Sequence, residues 1–184
     1  MLYFSSTRKV NWKGYRGMNE KFFDLIKEKQ DRMINASLKV FAMNGYAHAS
    51  TDDIVREAGI SKGLLFHYFV SKLGLYSFIY DYSIRYVILE LTTGVDKEET
   101  DYFRLVGQIR EAELQVMRNY PCMMLFLNNS RLENVSEVLL ETEDKRNILS
   151  EKYAQILSQA TGEELDERLS REQLSEMIRF TTEG

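Results

Sequence analysis

One cysteine, one proline and two histidines are all that 184 residues contain of those three types. A lone cysteine, Cys122, excludes an intramolecular disulfide, and with it the small secreted scaffolds that rely on such crosslinks. Proline is absent ahead of Pro121, so no ring breaks a helix through that whole stretch. His67 has no cysteine, acid or second histidine at ligand spacing, which leaves no metal pattern. No apolar run approaches the ~18 residues of a membrane span, and no secretory segment follows Met1. A phosphate-cradling glycine loop, a dinucleotide fingerprint and a hydrolase nucleophile elbow are missing as well. These absences argue against an enzyme, a cofactor and a membrane partner, and the expected setting is a reducing cytoplasm.

What is present can fold. Hydrophobic residues make up 44% and aromatics 12%, enough for a sizeable core, and the length suits one domain or a small module with a larger body. β-Branched runs are short and apolar residues recur at helical spacing throughout, so the expectation is an all-α protein. Charge is divided unevenly. Residues 1–76 carry 12 Lys and Arg against 7 acids, and residues 77–184 carry 12 against 21, so a net −4 conceals +5 followed by −9. Such a division is expected where one end approaches a polyanion. Residues 1–17 supply Arg8, Lys9, Lys13 and Arg16 with no acid. Two readings of this leader stand: a stretch upstream of the native start at Met18, or a basic arm that lies in a DNA minor groove.

The periodicity predicts a first helix over Glu20–Asn44, with Met33, Ser37, Val40 and Phe41 facing inward and Gly45 ending it. Ser50-Thr51-Asp52-Asp53 reads as a hydroxyl cap with acids in the first turn of a short helix, stopped by Gly59. Ser61 caps a second short helix, and Ser71 caps a long one that breaks near Gly94. Further helices are expected over 100–119, from Pro121, over 136–160, and from Ser170.

Two short capped helices joined by a tight turn hold the second helix at a fixed angle, where it can enter a major groove. Ile54, Ala58, Ile60 and Leu65 would face inward and keep that angle. Lys62, His67 and Tyr68 would supply donors to phosphates or base edges, the first turn would add backbone N–H groups, and Gly63 would let the backbone approach DNA. An ordinary helix connection without DNA binding fits the same composition.

The detailed sequence is more specific. Val40-Phe41-Ala42-Met43-Asn44-Gly45-Tyr46, then Ser50 through Gly63, then Phe66-His67-Tyr68-Phe69-Val70-Ser71-Lys72, closely resembles the DNA-binding domain of TetR/AcrR-type bacterial transcriptional regulators. The resemblance implies an all-α homodimer: an N-terminal three-helix helix-turn-helix domain over 18–72, and a helical effector-binding and dimerisation domain over 73–184. It implies phosphate contacts from Thr51 and Lys72, a groove-facing turn at Ser61, Lys62, Gly63 and Leu64, and a backbone-packing cluster of Phe66, His67 and Tyr68. Phe66 departs from the family's usual Tyr and lacks its hydroxyl; Leu64, Val70 and Leu73 also replace commoner residues. Repression of an operator, relieved by a small molecule, is the function implied. A helical protein–protein adaptor and a constitutive DNA-binding protein without effector are the alternatives.

For the body, Phe78, Tyr82, Tyr86, Phe103, Met117, Tyr120, Met123, Met124 and Phe126 are candidates to line an effector cavity. Thioethers and tyrosines suit a lipophilic or aromatic ligand held by few hydrogen bonds, and scarce bases disfavour a strong anion. A stripe over Val138, Leu139, Leu149, Tyr153, Ile156 and Leu157 is expected to share in dimerisation. The family usually closes with two helices, so the single one from Ser170 implies an incomplete chain or a reduced interface.

Overall fold

The computed structural model describes residues 20–161. Among these residues eight α-helices follow in order: α1 (Lys27–His48), α2 (Thr51–Ala58), α3 (Lys62–Tyr68), α4 (Lys72–Gly94), α5 (Tyr102–Asn119), α6 (Met123–Ser130), α7 (Ser136–Thr142) and α8 (Ile148–Leu157). No strand occurs among the described residues, and the expected all-α class is the observed one. The leader at 1–17 and the segment from Ser170 lie outside the described residues.

Local chemistry sets the N-terminal boundaries. Ser50, Ser61 and Ser71 each sit in extended backbone, with a side-chain oxygen accepting from Asp52 N, Leu64 N and Gly74 N respectively. Each cap satisfies one amide that the first helical turn leaves without a partner. Gly59 closes α2 in the left-handed region at φ 63, ψ 43. Gly45 has φ 65 and ψ 176, a conformation nearly confined to glycine, and kinks α1 one turn before its end.

The first helix starts later than its pattern suggests. A 3-10 turn over Glu20–Asp24 precedes it and folds Phe22 wholly into the core. There Phe22, Phe69 and Phe78 form a knot, with ring centroids 5.1–5.4 Å apart, and the Tyr68 ring lies 5.7 Å from Phe22. This knot welds the end of α3 onto α4. Beyond it α4 runs on as the spine of the body, with α5, α7 and α8 packed along it and α6 laid against α1.

The expected long helix over 136–160 is broken. α7 ends at Thr142, a 3-10 turn spans Glu143–Lys145, and α8 begins at Ile148. Thr142 Oγ1 donates back to Val138 O at 2.8 Å, the kind of local bond that competes with helix continuation, and three acids in four residues follow one another there. The break lets both short helices face α4. Val138 and Ile156 are therefore buried, Leu149, Tyr153 and Leu157 pack half-buried on the same core, and Leu139 is half-buried. The stripe expected to serve dimerisation is occupied within the subunit. Smaller differences are that Ile60 is half-buried and that Pro121 lies in a turn ahead of α6.

Candidate nucleic-acid interface and its link to the body

α3 stands on a buried foot. Leu65 is 1% exposed and packs with Ile54 and Ala58 of α2, so the α2–turn–α3 unit is held by its apolar side while the rest of α3 faces solvent. Ser61, Lys62, Gly63, Phe66 and His67 are exposed, and Leu64 is half-buried. Nothing lies within 4 Å of where a Cβ on Gly63 would stand, so another molecule's backbone can approach closely there. Thr51 is half-buried at the start of α2.

Two of the expected contact residues are placed differently. Tyr68 is buried at 8% exposure, edge-on to Phe22, and anchors α3 rather than standing at the surface beside His67. Lys72 turns toward its own subunit: its Nζ donates to Ala49 O at 2.9 Å and Ala47 O at 3.4 Å, and lies 4.4 Å from the Tyr46 ring centroid. Those carbonyls end α1, so the ammonium closes the kinked turn where helix carbonyls otherwise lack donors. The sequence reading also missed that the exposed cations of this region are paired. Lys62 reaches Asp52, Lys39 reaches Glu57 at 2.7 Å, and Arg56 reaches Asp53. The Glu57 carboxylate raises the Lys39 ammonium above its ordinary value. Only the Arg56–Asp53 pair, at i,i+3 on one helix, had a local signal in the sequence.

The head is fastened to the body at both ends of α1. At its start, Tyr120 is a hub: its hydroxyl donates to Asp31 Oδ1 at 2.8 Å and accepts from Lys27 Nζ at 3.0 Å. Its single proton is thereby spent, so the 2.7 Å contact with Tyr82 has Tyr82 as donor. Burial pushes the Tyr82 hydroxyl up to about 12, and burial, then the neighbouring Tyr82 and Asp31, push Tyr120 higher still. Both remain protonated donors. At the far end, Asn129 Nδ2 donates to Ala42 O at 2.9 Å, and Glu133 Oε2 accepts from Tyr46 N at 2.9 Å, beside the Gly45 kink. Nothing in the local sequence around Glu133 signals this role. Tyr120→Phe should lower stability by about 1–3 kcal/mol, because Asp31 and Tyr82 lose a partner in a part-buried site. Urea unfolding of the two proteins measures the difference.

The candidate effector residues do not converge on one cavity. Phe78, Met123 and Phe126 are core at 0–1% exposure, and Tyr120 is buried beside the half-buried Tyr82 and Tyr86. Phe103 and Met117 face solvent on α5, and Met124 is half-buried. An open groove of about 660 Å³ lies between the end of α4 and α5, lined by Glu90, Thr93, Glu111, Gln115 and Asn119 among others. No group of three or more His, Cys, Asp or Glu among the described residues is placed to hold a metal. No described helix is long and apolar enough to cross a membrane.

Comparison with known proteins agrees with this geometry. Residues 33–77, from mid-α1 through the first turns of α4, match the family of bacterial regulatory proteins named for tetR. This helix-turn-helix region is similar to that of TetR-family regulators. Over 94 residues the chain is 37% identical to the uncharacterised HTH-type transcriptional regulator YuxN of Bacillus subtilis, a stretch covering 49% of this chain and 32% of that protein. Over 47 residues it is 40% identical to the uncharacterised HTH-type transcriptional regulator TtgW of Pseudomonas putida, covering 26% of this chain and 35% of that protein. The chain thus spans about a third of the length of these relatives. The fold extends further than the sequence match. A TetR family transcriptional regulator, PfmR, from Thermus thermophilus aligns with TM-score 0.56 and 21% identity over 82% of this chain and 81% of its own. Another, from Chloroflexus aurantiacus, aligns with TM-score 0.54 and 20% identity over 90% of this chain and 88% of its own. The TetR-like head therefore carries a helical body whose fold is similar to those two structures.

Proposed function

We propose that the protein is a DNA-binding transcriptional regulator that represses an operator as a homodimer and leaves it when a small molecule binds the body. The observation that carries this reading is the exposed α3, braced by Leu65 and Tyr68, within a region matching the TetR family. Residues 18–72 form the reading head and residues 73–184 the effector-binding and dimerising body. Lys62, Gly63 and Leu64 meet the groove, and Phe66 and His67 lie along the sugar-phosphate backbone. Two heads related by a twofold axis set half-sites ~34 Å apart or somewhat more. An effector with higher affinity for a state that misplaces the heads shifts the population off DNA. The fastening of α1 to Tyr120, Asn129 and Glu133 supports such coupling, because a shift of α6 has contacts through which to move the head.

The test is selection of bound duplexes from a random-sequence pool. Enrichment of a symmetric sequence with two half-sites is expected; a pool that stays random after repeated rounds contradicts the reading.

A further inference from the structure

The head carries an acid held against the lysine that its DNA reading depends on. Lys62 opens α3, and its Nζ lies 2.9 Å from Asp52 Oδ1 and 3.0 Å from Asp52 Oδ2. Asp52 is the second residue of α2, so the pair bridges the two helices of the motif across ten residues of sequence. Both side chains are exposed, Lys62 at 51% and Asp52 at 66%. An ion pair so exposed contributes little to folding, and Ile54, Ala58 and Leu65 already join α2 to α3 through buried contacts. Its consequence lies at the surface where it stands.

There the pair changes what a duplex meets. An ammonium free in solvent neutralises any phosphate, whatever the sequence, and so adds to indiscriminate binding. An ammonium held by both oxygens of a carboxylate presents no net charge until it leaves that partner. A phosphate competes with the carboxylate for the ammonium best when DNA comes close to the start of α3, and close approach is what a matching sequence permits and a mismatched one does not.

We infer that Asp52 is a specificity-determining residue: it withholds the Lys62 ammonium from phosphates of unrelated DNA and yields it when α3 docks fully. The inference rests on the DNA-binding reading given above. Removing the carboxylate frees one cation for any duplex. Binding of unrelated DNA then tightens more than binding of the operator, and discrimination falls.

The experiment measures affinity against salt concentration for the selected duplex and for a random-sequence duplex of equal length, with the full chain. The proteins are the unaltered chain, Asp52→Asn, Lys62→Ala and the double variant, each checked for unaltered helicity and melting. For Asp52→Asn, the random-duplex affinity should rise roughly fivefold to tenfold, and the slope of log affinity against log salt should steepen by about 0.9, the value for one more phosphate neutralised. The gain on the selected duplex should be smaller. In the Lys62→Ala background, Asp52→Asn should leave the slope unaltered. An Asp52→Asn protein that discriminates as the unaltered chain does overturns the inference while leaving the DNA reading intact. So does an equal gain with and without Lys62, which would assign the effect to simple repulsion. Failure of the unaltered chain to bind either duplex overturns both.

Discussion

Phe78→Ala should lower the free energy of unfolding by about 3–5 kcal/mol, a large loss for a single truncation. Phe78 is completely buried and its ring touches four others: Phe22 at 5.4 Å, Phe23 at 6.1 Å, Phe69 at 5.1 Å and Tyr82 at 5.8 Å between centroids. Those rings come from the 3-10 turn, the link after α3, and α4 itself, so the cavity left by truncation cannot be closed by one element shifting. The effect should reach beyond stability. With the knot loosened, α3 loses part of its seat on α4, and duplex affinity should fall even where the variant remains folded. Chemical denaturation together with a duplex titration on the same preparation reads both consequences.

The second large effect is expected at Gly45. Its φ of 65 with ψ of 176 is strained for any side chain, and a β-branched residue suffers most. Gly45→Val should cost about 2–3 kcal/mol, more than Gly45→Ala and more than Gly59→Ala, whose left-handed φ 63, ψ 43 is milder. Space is not the difficulty, since a Cβ at position 45 would meet only Glu133 Oε2 at 3.7 Å. The backbone itself resists. Because Tyr46 N is bonded to Glu133 and Lys72 closes the carbonyls of Ala47 and Ala49, straightening the kink would tear α1's end from both. The α2–α3 unit hangs from that end, so weaker duplex binding should accompany the thermal destabilisation measured for Gly45→Val.

How far the fold was legible depended on how local its causes are. The serine caps at 50, 61 and 71 and the helix-stopping Gly59 act within a few residues, and each stands where the pattern places it, whereas Gly45 kinks α1 and the helix runs on to His48 instead of ending there. The three-helix head with its outward α3 follows from those signals. Where causes are distant, the reading missed. Nothing near Lys72 or Tyr68 announces that one would turn back to carbonyls 23 and 25 residues earlier, or that the other would meet Phe22. The Lys62–Asp52 pair likewise depends on how the turn at Gly59 folds α3 over α2. Helical spacing marks a residue as inward-facing without saying whether it faces packed atoms or space. Phe78 and Phe126 were thus indistinguishable from cavity-lining residues, and Phe103 and Met117 from core. The split of α7 from α8 arises from both packing on α4, a tertiary cause the periodicity over 136–160 does not contain.

The central claim is that α3 reads a major groove. Its most direct test replaces single purines in the half-sites of the selected duplex with their 7-deaza analogues, which lack the N7 acceptor that only the major groove displays. At one or more half-site positions, affinity should fall by roughly fivefold to a hundredfold, the equivalent of about 1–3 kcal/mol, with no fall at purines between the half-sites. Affinity that is unmoved by every such replacement would contradict the account.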